Sequence, residues 1–529
     1  MVLRARAVQA HCRLNWTGSF ESIVSIYFTS NKKDAGLGGQ AIRSGIHALT
    51  SRLVIAVIQI VTTIILARLL APADFGLVAI VAALTSFVPM LIDLGLTDST
   101  VQNDHITPEQ ISGLFWLSLA TGTTVAVLLL VASPAIASIY KQPSLSNVAA
   151  AWAATFVLYA LSLQHMALLR RAMKFRQIAG IEITASVCGS GVTIMMAYFG
   201  FGYWALVMRP VISAAITAAG SWIGCGWRPG PPRLNADIKP MLKYGLNVTG
   251  GAVVWIGCGS ADRATMGFVF SPTAIGLYQN ALMLYENALQ GISIPLHKVG
   301  VSALSKLRAE PKLLAEKYLS ALSVVSFYSM PAFALLSVVS ADLVPFLLGE
   351  KWRAGGAILS IMALRGLFQI VENSQTWLHM PLGRPERWIR WAILTGLVQV
   401  FAVFVGLPFG VEGVALSIVI ARGLLAFPAV LYAGRPLDLR FITVIKTLGP
   451  QLAGAVASIL AGKLLLHFVM PSFGPVLRMA AASAFCGLVY FGIVVGIFRS
   501  TEPLRLVISL AKRFIPARFH ARLPFATAP

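Results

Sequence analysis

Charge is scarce where this sequence is most apolar, and the exceptions are the residues that could do chemistry. Arg52, Arg68, Arg209, Arg263, Arg365 and Arg422 lie inside or at the ends of long apolar blocks, as do Asp93, Glu182, Asp262, Glu286 and Glu372. A charge held in hydrocarbon costs at least about 2.5–3.5 kcal/mol, so it needs a partner, a wet cavity or a function. A guanidinium offers a planar fork of donors that fits two phosphate or carboxylate oxygens at once. A carboxyl in the same setting can carry a proton, because burial favours its neutral form, or can help to bind sodium.

Structural readings stand beside these. Arg68 adjoins a loop and can snorkel, and Arg52 sits toward one end of its helix. Arg365 and Glu372 are spaced i, i+7 and fit a structural ion-pair cluster. Any of the acids could simply neutralise a nearby arginine. Arg263 lies short of the helix end at Val269, where snorkelling is harder. Its neighbour Asp262 is expected on a different helical face, so one of the two needs a partner on another helix.

The elements that carry these residues follow from composition. The 529 residues are 57% hydrophobic and 12% charged, with a mean hydropathy of +0.77, too apolar for a soluble fold. The apolar residues come in blocks long enough to cross about 30 Å of hydrocarbon as helices. Bounded by Gly, Pro and charge, the blocks predict helices near 40–70, 73–98, 108–140, 145–171, 175–199 and 202–226. A second set falls near 237–268, 273–298, 312–349, 353–382, 388–409 and 411–434, with two more near 441–469 and 473–498. The fold class is therefore an all-α integral membrane protein with about fourteen transmembrane helices. The tail beyond Arg499 is basic and can lie on the membrane surface.

The formal net charge of +22 reports orientation in such a chain, not nucleic acid, since no polar domain presents a basic patch. Lys and Arg collect in alternate loops: Arg170 to Arg176, Arg228 to Lys239, Lys298 to Lys312, Arg384 to Arg387, Arg435 to Lys446, and both ends. The intervening loops carry only Lys141, Lys351 and Arg353, apart from Arg68 at a helix end. An even helix count with both termini cytoplasmic follows, in the inner membrane of a bacterial-type cell. The first 38 residues read as a cytoplasmic tail without a signal peptide. Cys12, Cys188, Cys225, Cys258 and Cys486 show no paired spacing, so neither disulfide framework nor metal site is expected. No cofactor motif is present. The absence of a Gly-rich phosphate loop, a His-Glu metal motif and an Asp-x-Asp pair excludes an intrinsic ATP motor and counts against catalysis.

Internal repetition organises the helices. Leu70-Ala71-Pro72-Ala73-Asp74-Phe75-Gly76-Leu77 recurs as Phe270-Ser271-Pro272-Thr273-Ala274-Ile275-Gly276-Leu277. Gly200-Phe201-Gly202-Tyr203-Trp204-Ala205-Leu206 is echoed by Gly410-Val411-Glu412-Gly413-Val414-Ala415-Leu416. A repeat that begins after an even number of helices runs the same way through the membrane, giving two parallel pseudo-symmetric six-helix lobes. The expected boundaries are 1–38 for the tail, 39–230 for the first lobe, 231–436 for the second, 437–498 for two further helices and 499–529 for a basic cytoplasmic tail.

The run Ile65 to Leu77, then Leu91-Ile92-Asp93-Leu94-Gly95-Leu96 before Val101-Gln102, resembles the Wzx-type polysaccharide flippases. That family is a branch of the multidrug, oligosaccharidyl-lipid and polysaccharide exporter superfamily. Ala261 to Gly267 and Gly276-Leu277-Tyr278 look like its junction between the seventh and eighth helices. The resemblance implies alternating access and a lipid-linked oligosaccharide on polyprenyl diphosphate as cargo, for exopolysaccharide or O-antigen synthesis. It also implies contact with membrane lipids and with the polymerase and chain-length proteins of such a pathway. Carrying that head through oil requires a wet, positively charged cavity. Arg263, Arg52, Arg365 and Arg68 are then the substrate-binding candidates, and Asp262, Glu286, Asp93 and Glu372 the ion-coupling candidates. Trp255, Tyr285 and Trp377 could stack on sugar rings, though packing is a commoner fate. The match to lipid II flippases is only superfamily-deep, and none of their substrate-binding arginines is carried over onto this chain. A drug or cation antiporter of the same superfamily would favour acids in its cavity. A membrane glycosyltransferase, polymerase or ligase would need a large extracytoplasmic loop, which the chain lacks.

Overall fold

The computed structural model describes residues 37–103, 106–232, 239–501 and 503. Both predicted tails lie largely outside that range. Every regular element among the described residues is helical. Among the described residues, eleven stretches are long and apolar enough to span a membrane. One of them, Glu386–Leu437, contains two helices, α14 (Pro385–Gly406) and α15 (Gly410–Gly434). The chain is a multi-pass membrane protein. Its outer surface is what lipid demands: Val131, Ile223, Leu424 and Leu488 are each more than 70% exposed, which in water would be an unprotected apolar coat.

The chain divides into two compact units, Met1–Gly276 and Leu277–Pro529. In the first, α1 (Leu37–Leu69) packs on α7 (Phe175–Tyr198), and α7 packs in turn on α8 (Tyr203–Cys225). The hairpin of α5 (Pro108–Ile139) and α6 (Ser144–Arg171) closes the bundle against α8. Helix starts follow local chemistry. Proline occupies the first position of α5, where its missing N–H is no loss. The Thr107 hydroxyl oxygen then accepts from the Gln110 backbone amide at 3.2 Å, while Gln110 Oε1 accepts from the Thr107 backbone amide at 3.0 Å.

The block read as one helix over 73–98 is three pieces: α2 (Pro72–Thr85), α3 (Val88–Asp93) and α4 (Leu96–Gln102). The second break runs through Leu94 and Gly95, at φ +47° and +68°. Glycine adopts that conformation without the penalty a Cβ brings. Asp93 offsets the lost ladder bonds, its Oδ1 accepting from the Thr97 amide at 3.0 Å and the Thr97 hydroxyl at 2.6 Å.

The two copies of the Pro-x-x-x-Gly repeat meet within the first unit. A Cβ on Gly76 would sit 1.8 Å from the Pro272 carbonyl oxygen, and a Cβ on Gly276 would sit 1.8 Å from that of Pro72. The contact is reciprocal and main chain on both sides. Next to it, α9 (Lys239–Val269) packs on α2. α10 (Pro272–Ser305) carries the chain into the second unit. There α11 (Pro311–Leu348) packs on α12 (Gly355–Asn373), which the short α13 (Thr376–His379) follows; α12 packs on α15, and α14 on α15. α16 (Phe441–Leu464) and α17 (Pro475–Phe491) lie against α11.

Candidate functional site

The deepest charged cluster belongs to the second unit. On α12, Arg365, Gln369 and Glu372 follow one another at spacings of four and three, so one helical face presents all three. α15 brings Arg422 to that face and α14 brings Gln399. Arg422 Nη1 donates to Glu372 Oε1 at 2.7 Å, and Nη2 donates to Gln399 Oε1. Gln369 links the rest: its Nε2 donates to Glu372 Oε2 at 3.2 Å and to Asn373 Oδ1 at 3.0 Å, while its Oε1 accepts from Arg365 Nε at 2.9 Å. Arg365 also lies over the ring of Tyr285 from α10, with Cζ 5.6 Å from its centroid.

Burial makes this cluster consequential. Glu372 is 4% exposed and Arg422 7%. Arg422 Nε and the Tyr285 hydroxyl are buried without a hydrogen-bond partner. Leaving such donors unsatisfied is expensive in a low-dielectric interior, so they mark where another polar group would be welcome. The network joins the guanidinium groups of Arg365 and Arg422 to the carboxylate of Glu372 through Gln369. It is a charged polar site inside otherwise apolar spans.

The first unit has a smaller cluster on α9. Arg263 Nε lies 3.3 Å from Asp262 Oδ1, and its Nη2 donates to Ser260 Oγ at 3.0 Å. The expectation that one of the two needs a partner on another helix is therefore corrected: they pair with each other. The Cβ vectors of adjacent helical residues do diverge, but the long arginine stem folds its head back to the short carboxylate. One turn on, the Tyr140 hydroxyl donates to the Ala264 carbonyl at 3.0 Å and its ring stacks on Phe268 at 4.2 Å. Burial pushes that hydroxyl up to about 12, so it remains a donor at ordinary pH.

Of the remaining candidates, Glu286 follows Tyr285 on α10, within electrostatic reach of its hydroxyl. Arg52, Arg68 and Glu286 are exposed, and half-buried Asp93 is engaged in capping. Of the aromatic candidates, Tyr285 joins the network, Trp377 is buried and Trp255 is half exposed. Sequence reasoning missed Gln369 and Gln399. Gln369 carried a signal, its position between Arg365 and Glu372 on one face; Gln399 carried none.

The family model described as "Polysaccharide biosynthesis protein" matches residues 65–355, more than half of the chain. The lipopolysaccharide biosynthesis protein WzxC of Escherichia coli (strain K12) is 24% identical over 365 residues, covering 68% of this chain and 73% of that protein. The succinoglycan biosynthesis transport protein ExoT of Rhizobium meliloti (strain 1021) is 22% identical over 464 residues, covering 86% and 92%. Among solved structures, the lipid II flippase MurJ matches with a TM-score of 0.68 at 14% identity, over 87% of this chain and 99% of that one. The fold is shared.

Proposed function

Since the chain belongs to the polysaccharide biosynthesis protein family, we propose that it flips a lipid-diphosphate-linked oligosaccharide repeat unit between membrane leaflets by alternating access. The observation that carries this reading is the buried network of Arg365, Gln369, Glu372, Gln399 and Arg422. Two guanidinium groups are gathered into it, and one guanidinium donor waits without a partner. An anionic diphosphate suits such a site, whereas a cationic drug would be repelled by it. The relative ExoT carries transport in its name, and WzxC carries lipopolysaccharide biosynthesis. The protein is a transporter, not an enzyme.

The finer reading places about fourteen crossings in the inner membrane, with both termini cytoplasmic. Two parallel lobes, at 39–230 and 231–436, would rock about the cargo. Arg365 is the primary diphosphate ligand in this reading, and Arg263 is a separate candidate in the first unit. Arg52 and Arg68 attract the head at the surface. Glu372, Asp262, Asp93 and Glu286 are the acids that could couple an ion. The polymerase and chain-length proteins of the pathway are the expected partners.

The test is reconstitution of the full chain in vesicles with a fluorescent polyprenyl-diphosphate oligosaccharide. A membrane-impermeant reductant should bleach more label than the outer leaflet alone holds, and only when protein is present. Movement of a cationic dye without movement of the labelled lipid would overturn the proposal in favour of an antiporter.

A further inference from the structure

A second concentration of arginine lies at an end of the membrane spans, away from the buried network. Where α14 begins and α15 ends, Arg384, Glu386, Arg387, Arg390, Tyr432 and Arg435 line a cavity of about 740 Å³. Its depth in the bilayer follows from its elements. Arg384 caps the first turn of α14, and Arg435 follows the last residue of α15. The cavity therefore opens at headgroup level, on the face that carries the dense basic loops.

One wall of this cavity is fixed. Arg387 donates to the Tyr432 carbonyl and lies over its ring, Cζ 4.4 Å from the centroid. The same ring also meets Trp391, stacked at 5.5 Å, and His379, tilted at 5.9 Å. The other arginines are uncommitted: Arg384, Arg390 and Arg435 are exposed, and none forms an ion pair with a described residue. Glu386 is the single carboxylate in the lining. Beside the same tyrosine, His379 Nε2 and Trp391 Nε1 are buried without hydrogen-bond partners, their residues 1% and 8% exposed.

Like charges gathered around a void repel one another, and neither the carboxylate nor the flanking donors balance them. The positive end of the α14 dipole adds to the same potential. Several guanidinium forks around one space suit a group with several oxygens and more than one negative charge, which a phosphate supplies and a lone carboxylate does not. We infer that this cavity binds a phosphate-bearing anion at the membrane surface, at a site separate from the buried network. The chemistry fits the phosphodiester headgroup of an anionic lipid and a free diphosphate alike. The inference stands independently of what the protein transports.

The experiment uses the full chain purified in neutral detergent, with the thermal unfolding midpoint read against increasing probe. The probes are inorganic diphosphate and micelles doped with phosphatidylglycerol, with phosphatidylcholine as the uncharged comparison. A saturable rise in midpoint with an anionic probe supports the site. A response to phosphatidylglycerol alone identifies a lipid headgroup; a response to diphosphate identifies a soluble ligand. The double variant Arg390→Gln, Arg435→Gln should weaken apparent affinity about tenfold or more, as expected on losing charge-assisted hydrogen bonds. Glu386→Gln, which removes the opposing carboxylate, should strengthen it. The exposed pair Arg170→Gln, Arg176→Gln removes the same charge elsewhere and should leave affinity unchanged. If neither probe saturates, or if this control weakens binding as much as the cavity variant, the site does not exist.

Discussion

Glu372→Gln is the most informative single change in the molecule. It keeps the shape of the side chain and removes the charge that faces Arg422 at 2.7 Å. Two unit charges about 4 Å apart interact by about 4 kcal/mol at the effective dielectric typical of proteins. Breaking a buried pair from one side costs about 3–5 kcal/mol, because the survivor is left uncompensated. Arg422 feels this in full: its remaining bond goes to neutral Gln399, and its Nε has no partner. Arg422→Met should cost less, since Glu372 keeps the Gln369 amide at 3.2 Å. In the double variant neither member of the pair is left behind, so its loss should fall short of the sum of the singles by about 2–4 kcal/mol. The assay is denaturant unfolding of the four proteins in one detergent. Polysaccharide export per unit of folded protein, measured in a host lacking its own flippase, is the second readout. The double variant should recover stability without recovering export. Single losses that add to within about 0.5 kcal/mol would refute the coupled pair.

Other outcomes can be stated briefly. Arg263→Lys should retain part of export and Arg263→Ala should abolish it with protein abundance near wild type; normal export by the alanine variant removes Arg263 as a cargo ligand. Gly276→Ala and Gly76→Ala each place a methyl 1.8 Å from a main-chain oxygen. They should lose folded protein at or beyond the upper end of the usual ~1–3 kcal/mol for overpacking. Gly191→Ala, with nothing within 4 Å, should instead match wild type or gain up to ~1 kcal/mol. Reporter fusions after Pro143 and Pro408 should read periplasmic and those after Lys174 and Arg308 cytoplasmic, and one reversed result breaks the topology.

Helix limits were legible because lipid imposes a length and because Pro and Gly punctuate the ends. The block read at 108–140 is Pro108–Ile139, and that read at 175–199 is Phe175–Tyr198. The broken helix was not legible, since Leu94 and Gly95 interrupt the backbone without interrupting hydropathy. The candidate site was half legible. Intramembrane arginines and acids announce themselves by the expense of keeping them there, but their pairing does not. Glu372 finds its partner fifty residues away on another helix, and no local spacing encodes that distance. Asp262 and Arg263 were misjudged for the opposite reason: helical geometry places Cβ atoms, while a flexible stem decides where a guanidinium ends.

The reciprocal contact between Pro72–Gly76 and Pro272–Gly276 has the character of an isologous interface. Each motif is at once the surface that presents a carbonyl and the surface that leaves room for one, as in a two-fold symmetric dimer. Because main chain meets main chain, nothing in the contact itself distinguishes the first copy from the second. The pairing of unlike copies within one polypeptide is thus enforced by connectivity, through the high effective concentration of a tethered partner. A fragment carrying a single copy would present the same surface without its tethered complement. Self-association through glycine is the state open to it.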